Sequence, residues 1–395
     1  MKKILVVGGG AYQVPLIKRI TELGHKAYCI DGNPAAAGFA YADGFENIDI
    51  LDRDACLAYA KKIGIDAVMT YGATITLPTV SYVGEQLSLP VLPAETAELS
   101  KNKYQIKKRL EASGCNIKGD YFLLHSRDDI HKITLPCVIK PCDGSGSKGV
   151  SVVHHASDLP AAVEYAFDSA RFGDVYAEAF IHGTEYTVEA FVARGQVYIY
   201  AIVKTTFERL ADGEISYGHR TPAGIDEGTE RRIGDEIRKA IHGLGITMGS
   251  VNFDVLVSLE DQQVYIIDCG IRVGQNLLGS HIVPLSCGVS VLDNSIALAL
   301  GEQADAEPEF SKCIATRLLI YRPGTIVEIR DMTELIGKNG IVDVVMRKQV
   351  GDRQEPYHDK SDTCGWVITA GKTPDEAEQN AVNAKKLLEN YIIIR

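Results

Sequence analysis

The chain has 395 residues, enough for two or three domains, and its 46% hydrophobic and 24% charged residues are an ordinary globular mixture able to bury a sizeable core. A net charge of -11 with no block of clustered Lys or Arg leaves no electrostatic footprint for nucleic acid or an anionic membrane, so small molecules are the expected partners. No apolar run reaches transmembrane length, residues 4–7 run straight into glycines without a cleavage site, and the nine cysteines show neither CxxC pairs nor zinc spacing. A cytoplasmic protein with reduced thiols is expected.

Strand and helix patterns alternate at the start: strands at 3–7, 26–30 and 67–70, helices at 14–23, 55–63 and 80–87. This predicts a Rossmann-like α/β domain over residues 1–99. Gly8, Gly9 and Gly10 suggest a dinucleotide fingerprint, with Asp31 near the usual acidic position, but Gln13 stands where that motif needs Gly or Ala. The glycines then simply turn a strand into its helix. Residues 100–113 read as a basic amphipathic helix carrying Lys101, Lys103, Lys107, Lys108 and Arg109, most simply a solvated face.

Residues 137–139 form an apolar strand ending at Lys140, DGSGSKG follows at 143–149, and another strand begins at once. Lys148 precedes Gly149 and no helix follows, which excludes a P-loop. Gly144, Gly146 and Gly149 let backbone N–H groups approach phosphate oxygens while Lys140 supplies a point charge; a plain tight turn has the same local pattern. From 114 to 300 hairpins dominate, pairing 186–192 with 197–203 and 251–257 with 264–268. Residues 176–189 read as strand, break at Gly183, strand. They suit either an ordinary sheet or the edge of a purine pocket, with backbone at Phe180 and Ile181 for the base and Glu185 for ribose hydroxyls. Asp254 lies in an apolar strand and Asp268 ends its partner. Facing carboxylates repel unless a cation lies between them, and hard oxygens favour Mg²⁺. Arg272, on a glycine-flanked turn, is placed to neutralise a phosphoryl group. His219 and Arg220 lie in a polar, turn-rich stretch at 217–223 and are candidate substrate contacts. The C-terminal residues give short strands at 315–320 and 366–369. A helix then starts at Thr373 as N-cap, Pro374 and a capping-box Glu376.

Lys103, VIKP at 138–141, DGSGSKG at 143–149, EAFI at 178–181 with GTE at 183–185, NFD at 252–254 and DCGIR at 268–272 occur in the order found in ATP-grasp enzymes. The chain resembles an ATP-grasp carboxylate-amine ligase, and GKTPDEA at 371–377 resembles the C-terminal signature of amino-acid and glycinamide ribonucleotide ligases. The resemblance implies three parts: the Rossmann-like domain 1–99, an ATP-grasp domain 100–302 with a lid at about 114–182, and a small α+β domain 303–395. By that resemblance Lys103 and Lys140 contact ATP phosphates under a flap that includes Ser145, Gly146, Ser147 and Gly149. Glu178, Phe180 and Ile181 bind adenine and Glu185 the ribose. Asp254 and Asp268 hold Mg²⁺, and Arg272 serves the transferring phosphate, with Lys140 and Asn276 beside it. The family's Glu-x-Asn appears here as Asp268 and Gly270; Asn276 is a candidate replacement, and a water serves equally well. The implied reaction joins a small-molecule carboxylate, by default an amino acid, to an amine through an acyl phosphate, in an enzyme expected to be a homodimer. Glycinamide ribonucleotide synthetase-like chemistry, carbamoyl-phosphate-type chemistry and a non-catalytic ATP-binding regulator are the alternatives.

Overall fold

In the N-terminal segment β1 (Lys3–Val7), β2 (Lys26–Asp31), β3 (Gly44–Asn47) and β4 (Ala67–Met69) form a parallel sheet in the order β3-β2-β1-β4. Its central strands are apolar on both faces because helices cover both. Ile4 and Val6 pack on Leu16, Ile17 and Ile20 of α1 (Val14–Glu22), while Leu5 and Val7 meet α2 (Arg53–Ile63) and α3 (Leu77–Gln86). Asp31 stitches the glycine turn to the sheet, one carboxylate oxygen accepting from Gly9 N–H at 2.7 Å and the other from Asn33 N–H at 2.8 Å. This computed structural model of the chain describes residues 1–144, 146–210, 213–274, 277–356 and 362–395, with backbone alone at 207–210 and 213–216.

The helix predicted over 100–113 starts at Lys103, just after a separate short helix that the sequence reading did not include. Ser100 closes α4 (Ala94–Leu99), and Asn102, whose side chain accepts from Gln105 N–H at 3.0 Å, caps α5 (Lys103–Ala112). A four-stranded antiparallel sheet follows in the order β5-β8-β6-β7, from β5 (Tyr121–Leu124), β6 (Cys137–Pro141), β7 (Ser151–Val153) and β8 (Val175–Ala179), backed by α6 (Leu159–Ser169). The glycine loop joins β6 to β7, strand to strand as predicted. The break before the next strand spans residues 180–182 rather than Gly183 alone. Gly183 instead opens β9 (Gly183–Ala193), where an added Cβ would meet Val257 O at 2.6 Å.

The largest sheet has eight strands in the order β13-β12-β9-β10-β11-β14-β18-β16. β9 and β10 (Gln196–Leu210) turn at Arg194 and Gly195, both at positive φ, the mirror-image turn that matches strand twist. β11 (Gly213–Thr221), α7 (Glu227–Gly243), β12 (Gly249–Ser258) and β13 (Val264–Gly270) follow. Val188, Ala190, Phe253 and Val255 pack on Ile233, Ile237 and Ile241 of α7, which covers one face of the sheet at β9 and β12. Beyond α8 (Val283–Cys287) and α9 (Val291–Ala299), β14 (Cys313–Leu318) extends this sheet, and β16 (Ile341–Met346) and β18 (Gly365–Gly371) complete it. β15 (Gly324–Ile329), β17 (Arg353–Gln354) and β19 (Ile392–Ile394) form a separate three-stranded sheet. In α10 (Pro374–Leu388) the Thr373 hydroxyl accepts from Glu376 N–H as predicted, but the Glu376 carboxylate accepts from Lys372 N–H, one residue before the expected donor. The nine cysteines are free and eight are buried. No single helix among the described residues is long and apolar enough to cross a membrane.

Gly149 ends the glycine loop at φ +77°, and an added Cβ would lie 2.6 Å from both Pro141 Cγ and Ser169 Cβ, whereas Gly146 at φ +64° has nothing within 4 Å. Gly149→Val is expected to destabilise the protein by about 1–3 kcal/mol, more than Gly146→Ala, because it adds a collision to backbone strain. Melting followed by circular dichroism checks the ranking; equal melting temperatures for the two variants would contradict it.

Candidate active site

Strand alternation sends Thr187 and Glu189 of β9, and Asn252 and Asp254 of β12, to the sheet face away from α7. Asp254 lies directly across from Asp268 in the antiparallel β12–β13 pair, as the sequence predicts, and its Oδ1 accepts from the Thr187 hydroxyl at 2.8 Å. Lys103, the first residue of α5, pairs with Asp268 Oδ1. Burial raises the Asp254 carboxyl pKa, and the Asp268 charge raises it further. Burial acts the same way on Asp268, but Lys103 and Lys140 outweigh it and hold that carboxyl below its usual range. One carboxylate is thus neutralised and its neighbour left short of positive charge. Facing hard oxygens in this state fit Mg²⁺, whose remaining positions water can fill. No third His, Cys, Asp or Glu joins them among the described residues.

Lys140 and Glu178 lie on adjacent strands of the four-stranded sheet, on one diagonal. Glu178 is buried between two cations, with Lys107 Nζ and Lys140 Nζ each 2.6 Å from its carboxylate. Burial opposes its ionisation, but the two lysines prevail and hold its pKa down. Lys140 also donates to Ile267 O at 2.8 Å, which ties β6 to the residue preceding Asp268. Lys107 is therefore not on a solvated face. Phe180 and Ile181 follow Glu178; Phe180 N–H donates to Pro136 O at 3.0 Å and its ring meets His154 and His182 edge-on. Beside this cluster a void of about 10 Å³ is bordered by Lys103, Lys107, Tyr176 and Asp268, room for one water at most.

A much larger cavity of about 720 Å³ opens between the glycine loop, the 72–75 loop after β4, the start of α5 and the polar sheet face. Gly146, Ser147, Glu185, His219, Asp254 and Asp268 line it, together with Lys103 and Arg272. Gly149 closes the loop behind it. Lys140, Glu178, Phe180 and Ile181 do not line this space. Ser145 and Asn276 lie outside the described residues. His219 and Arg220 are neighbours on β11 and point to opposite faces. Arg220 turns away from the cavity and pairs with Asp375 and, at 3.0 Å, Glu378 of α10.

The turn after β13 folds Arg272 back over Gly270: an added Cβ there would sit 3.1 Å from the guanidinium carbon. The guanidinium donates to Val273 O at 2.8 Å. Gly270 therefore gives Arg272 its resting place at the cavity wall, a steric reason for glycine where the family pattern has Asn.

Several lining residues carry no signal in the sequence. Thr187 and Thr205 sit in strands where threonine is ordinary, and the 72–75 loop comes from another domain. Glu189 lies behind these residues on the same sheet face. It is buried, accepts from Asn252 Nδ2 at 2.7 Å and from Gly274 N–H at 3.2 Å, and an added Cβ on Gly274 would lie 1.9 Å from it. Burial pushes the Glu189 carboxyl up to about 8, against the opposing pull of the Gly274 N–H and Arg272. Between an unfolded pKa of about 4.3 and that value, the folded chain keeps a proton the unfolded chain has lost. Stability attributable to Glu189 therefore falls as pH rises through this window. Glu189→Gln removes the titration and adds a pH-independent offset from one lost acceptor. In urea unfolding at pH 5.5 to 7.5 with chelator present, the variant's stability relative to the parent is expected to climb by up to about 1.4 kcal/mol per pH unit. Parallel curves would contradict the assignment.

Residues 133–278 match the profile of the ATP-grasp domain, and residues 317–392 that of the L-amino acid ligase C-terminal domain 2. The chain is 24% identical over 369 residues to the uncharacterized protein y4rH of Sinorhizobium fredii, covering 88% of this chain and 73% of that one. It is 25% identical over 218 residues to the D-alanine–D-alanine ligase of Flavobacterium johnsoniae, a match spanning 51% of this chain and 65% of the relative. In three dimensions it superposes on the L-amino acid ligase of Bacillus licheniformis with a TM-score of 0.81 at 22% identity, covering 100% and 99% of the two chains. For the phosphoribosylglycinamide synthetase of Anaerococcus prevotii the TM-score is 0.78 at 21% identity, again covering 100% and 99%. The chain is an enzyme that carries an ATP-grasp domain over residues 133–278 and a C-terminal domain of the L-amino acid ligase type over residues 317–392.

Proposed function

We propose that the chain is an ADP-forming carbon–nitrogen ligase that activates a small carboxylate, an amino acid, and joins it to an amine. The observation that carries this reading is the Asp254–Asp268 pair facing across β12 and β13, with Lys103 on one carboxylate and Arg272 at the wall of the same cavity. Such a site concentrates positive charge and hard oxygen ligands where a nucleotide's phosphates would lie under a glycine loop. The cavity's thiols are poor nucleophiles, because burial pushes Cys142 up to about 12 and Cys269 higher still. Transfer straight to a bound acceptor is the chemistry these residues favour.

In this reading the substrate carboxylate attacks the γ-phosphate of ATP, the bond to ADP breaks, and an acyl phosphate forms. The amine then attacks the carbonyl and phosphate leaves. Lys103 and Lys140 bind phosphate oxygens, with Ser145, Gly146, Ser147 and Gly149 supplying the covering loop. Asp254 and Asp268 would hold Mg²⁺, which neutralises phosphate charge when bound. Arg272 steadies the transferring phosphoryl group and then the oxyanion. Glu178, Phe180 and Ile181 would take the base and Glu185 the ribose, once the narrow gap beside Tyr176 widens to admit a ring. His219, on the cavity wall, is placed for the substrate; Asn276 is the remaining candidate beside Arg272. The three-part division at 1–99, 100–302 and 303–395 assigns nucleotide binding to the middle part.

ADP release measured over pairs of amino acids, with mass detection of products, tests the proposal. Arg272→Ala is expected to lower turnover by about 100-fold to 1,000-fold, the usual cost of losing one charge-stabilising group, and Asp254→Asn to raise the Mg²⁺ concentration needed. An Arg272→Ala enzyme with full ligase activity would end the assignment.

A further inference from the structure

Lys103 and Lys107 stand one turn apart on α5, about 6 Å along its axis, and each meets a different carboxylate. Lys103 pairs with Asp268 at the large cavity, while Lys107 Nζ lies 2.6 Å from Glu178 Oε2. Lys107 is only 6% exposed, between Ile106 and Leu110 in the buried face of the helix. Lysine is almost never buried this far unless it is paired, and among the described residues its one acidic partner is Glu178. Lys140 serves more than one group: it takes Glu178 Oε1 at 2.6 Å and also donates to Ile267 O. Tyr121, directly opposite Glu178 on β5, gives its hydroxyl to Glu111 instead.

An ionised carboxylate has about four lone-pair sites and no proton to give. With one lysine on each oxygen, Glu178 keeps room for a further donor and has nothing to offer an acceptor. Without Lys107, Oε2 is left buried and unpartnered. A carboxylate in that position lowers its cost by taking a proton, and so becomes a donor. Lys107 therefore sets the hydrogen-bonding polarity that Glu178 presents. Purine edges differ in that same property, since a 6-amino group donates and a 6-oxo group accepts.

We infer that Lys107 is a positioning residue for the nucleotide base: it holds Glu178 as the acceptor of an exocyclic amine, so that the site takes a 6-aminopurine in preference to a 6-oxopurine. The inference rests on the reading that sets the base beside Glu178. Lys107 acts through that carboxylate and needs no contact with base or phosphate. A 6-oxo group in the same place would set oxygen against oxygen with no proton between them, and each would lose a partner it has in water.

The test measures binding of Mg·ATP and Mg·ITP, whose bases differ in this amine-for-oxygen exchange, by calorimetry on the full chain and its variants. Nucleoside diphosphate release over amino-acid pairs is followed alongside. The parent is expected to prefer ATP by about 10-fold to 100-fold, the range for one hydrogen bond to a charged group. Lys107→Met should bring the two nucleotides within about threefold of each other, and Lys107→Arg should keep the parent's preference. Lys107→Gln, uncharged but still able to donate to Oε2, should lose the preference too, which keeps the test open if Lys107→Met does not fold. A parent that binds ATP and ITP alike, or uncharged Lys107 variants that weaken both by one factor, would overturn the inference and leave the ligase reading standing. If the preference responds as expected but no amino-acid pair supports diphosphate release, the base contact stands and the ligase reading falls.

Discussion

Two carboxylates that repel one another organise this molecule. Antiparallel pairing places Asp254 and Asp268 directly opposite on one sheet face, where burial pushes both carboxyls up. Lys103 answers Asp268 from the tip of a helix, and Lys140 donates to the carbonyl of Ile267, the residue just before it. The polar face, α5 and the four-stranded sheet are thereby brought to one place. The charge left unanswered on Asp254 is what makes the site suited to a cation and to polyanionic phosphate.

A second charged cluster lies beside that arrangement. Lys107, Glu178 and Lys140 are all buried, so their mutual attraction is little screened, while leaving any one of them unpaired would be strongly unfavourable. The cluster joins α5 to the four-stranded sheet and, through Ile267 O, to β13. A nucleotide base approaching this gap would have Glu178 already ionised and two lysines already oriented. Glu189 plays a parallel part on the opposite wall. It holds Gly274 and Asn252, and so fixes the turn that presents Arg272 to the large cavity.

Much of the fold was legible because period and punctuation agree. The parallel N-terminal strands, both hairpins of the central sheet and the capped C-terminal helix follow from alternation and turn residues within a short window. The Asp254–Asp268 opposition was also legible, since two polar residues in paired apolar strands can be counted into register. What sequence could not supply depends on contacts made far along the chain. Lys107 reads as a solvated residue on a basic helix, yet its partner lies 71 positions away. The break at residues 100–102 hangs on Asn102, one residue whose capping role is masked by the lysines around it. Arg220 reads as a substrate contact in a polar stretch, but strand alternation turns it toward the acidic start of α10.

The chemistry proposed for the site makes one bond-level statement that can be read directly: the substrate carboxylate takes the γ-phosphoryl group. An amino acid carrying heavy oxygen in its carboxylate, turned over with ATP and an amine, should deliver one labelled oxygen to inorganic phosphate per product formed, detected by mass spectrometry. Label found in AMP, with pyrophosphate released, or phosphate that stays unlabelled while product accumulates, would contradict phosphoryl transfer to the carboxylate at the Asp254–Asp268–Arg272 site.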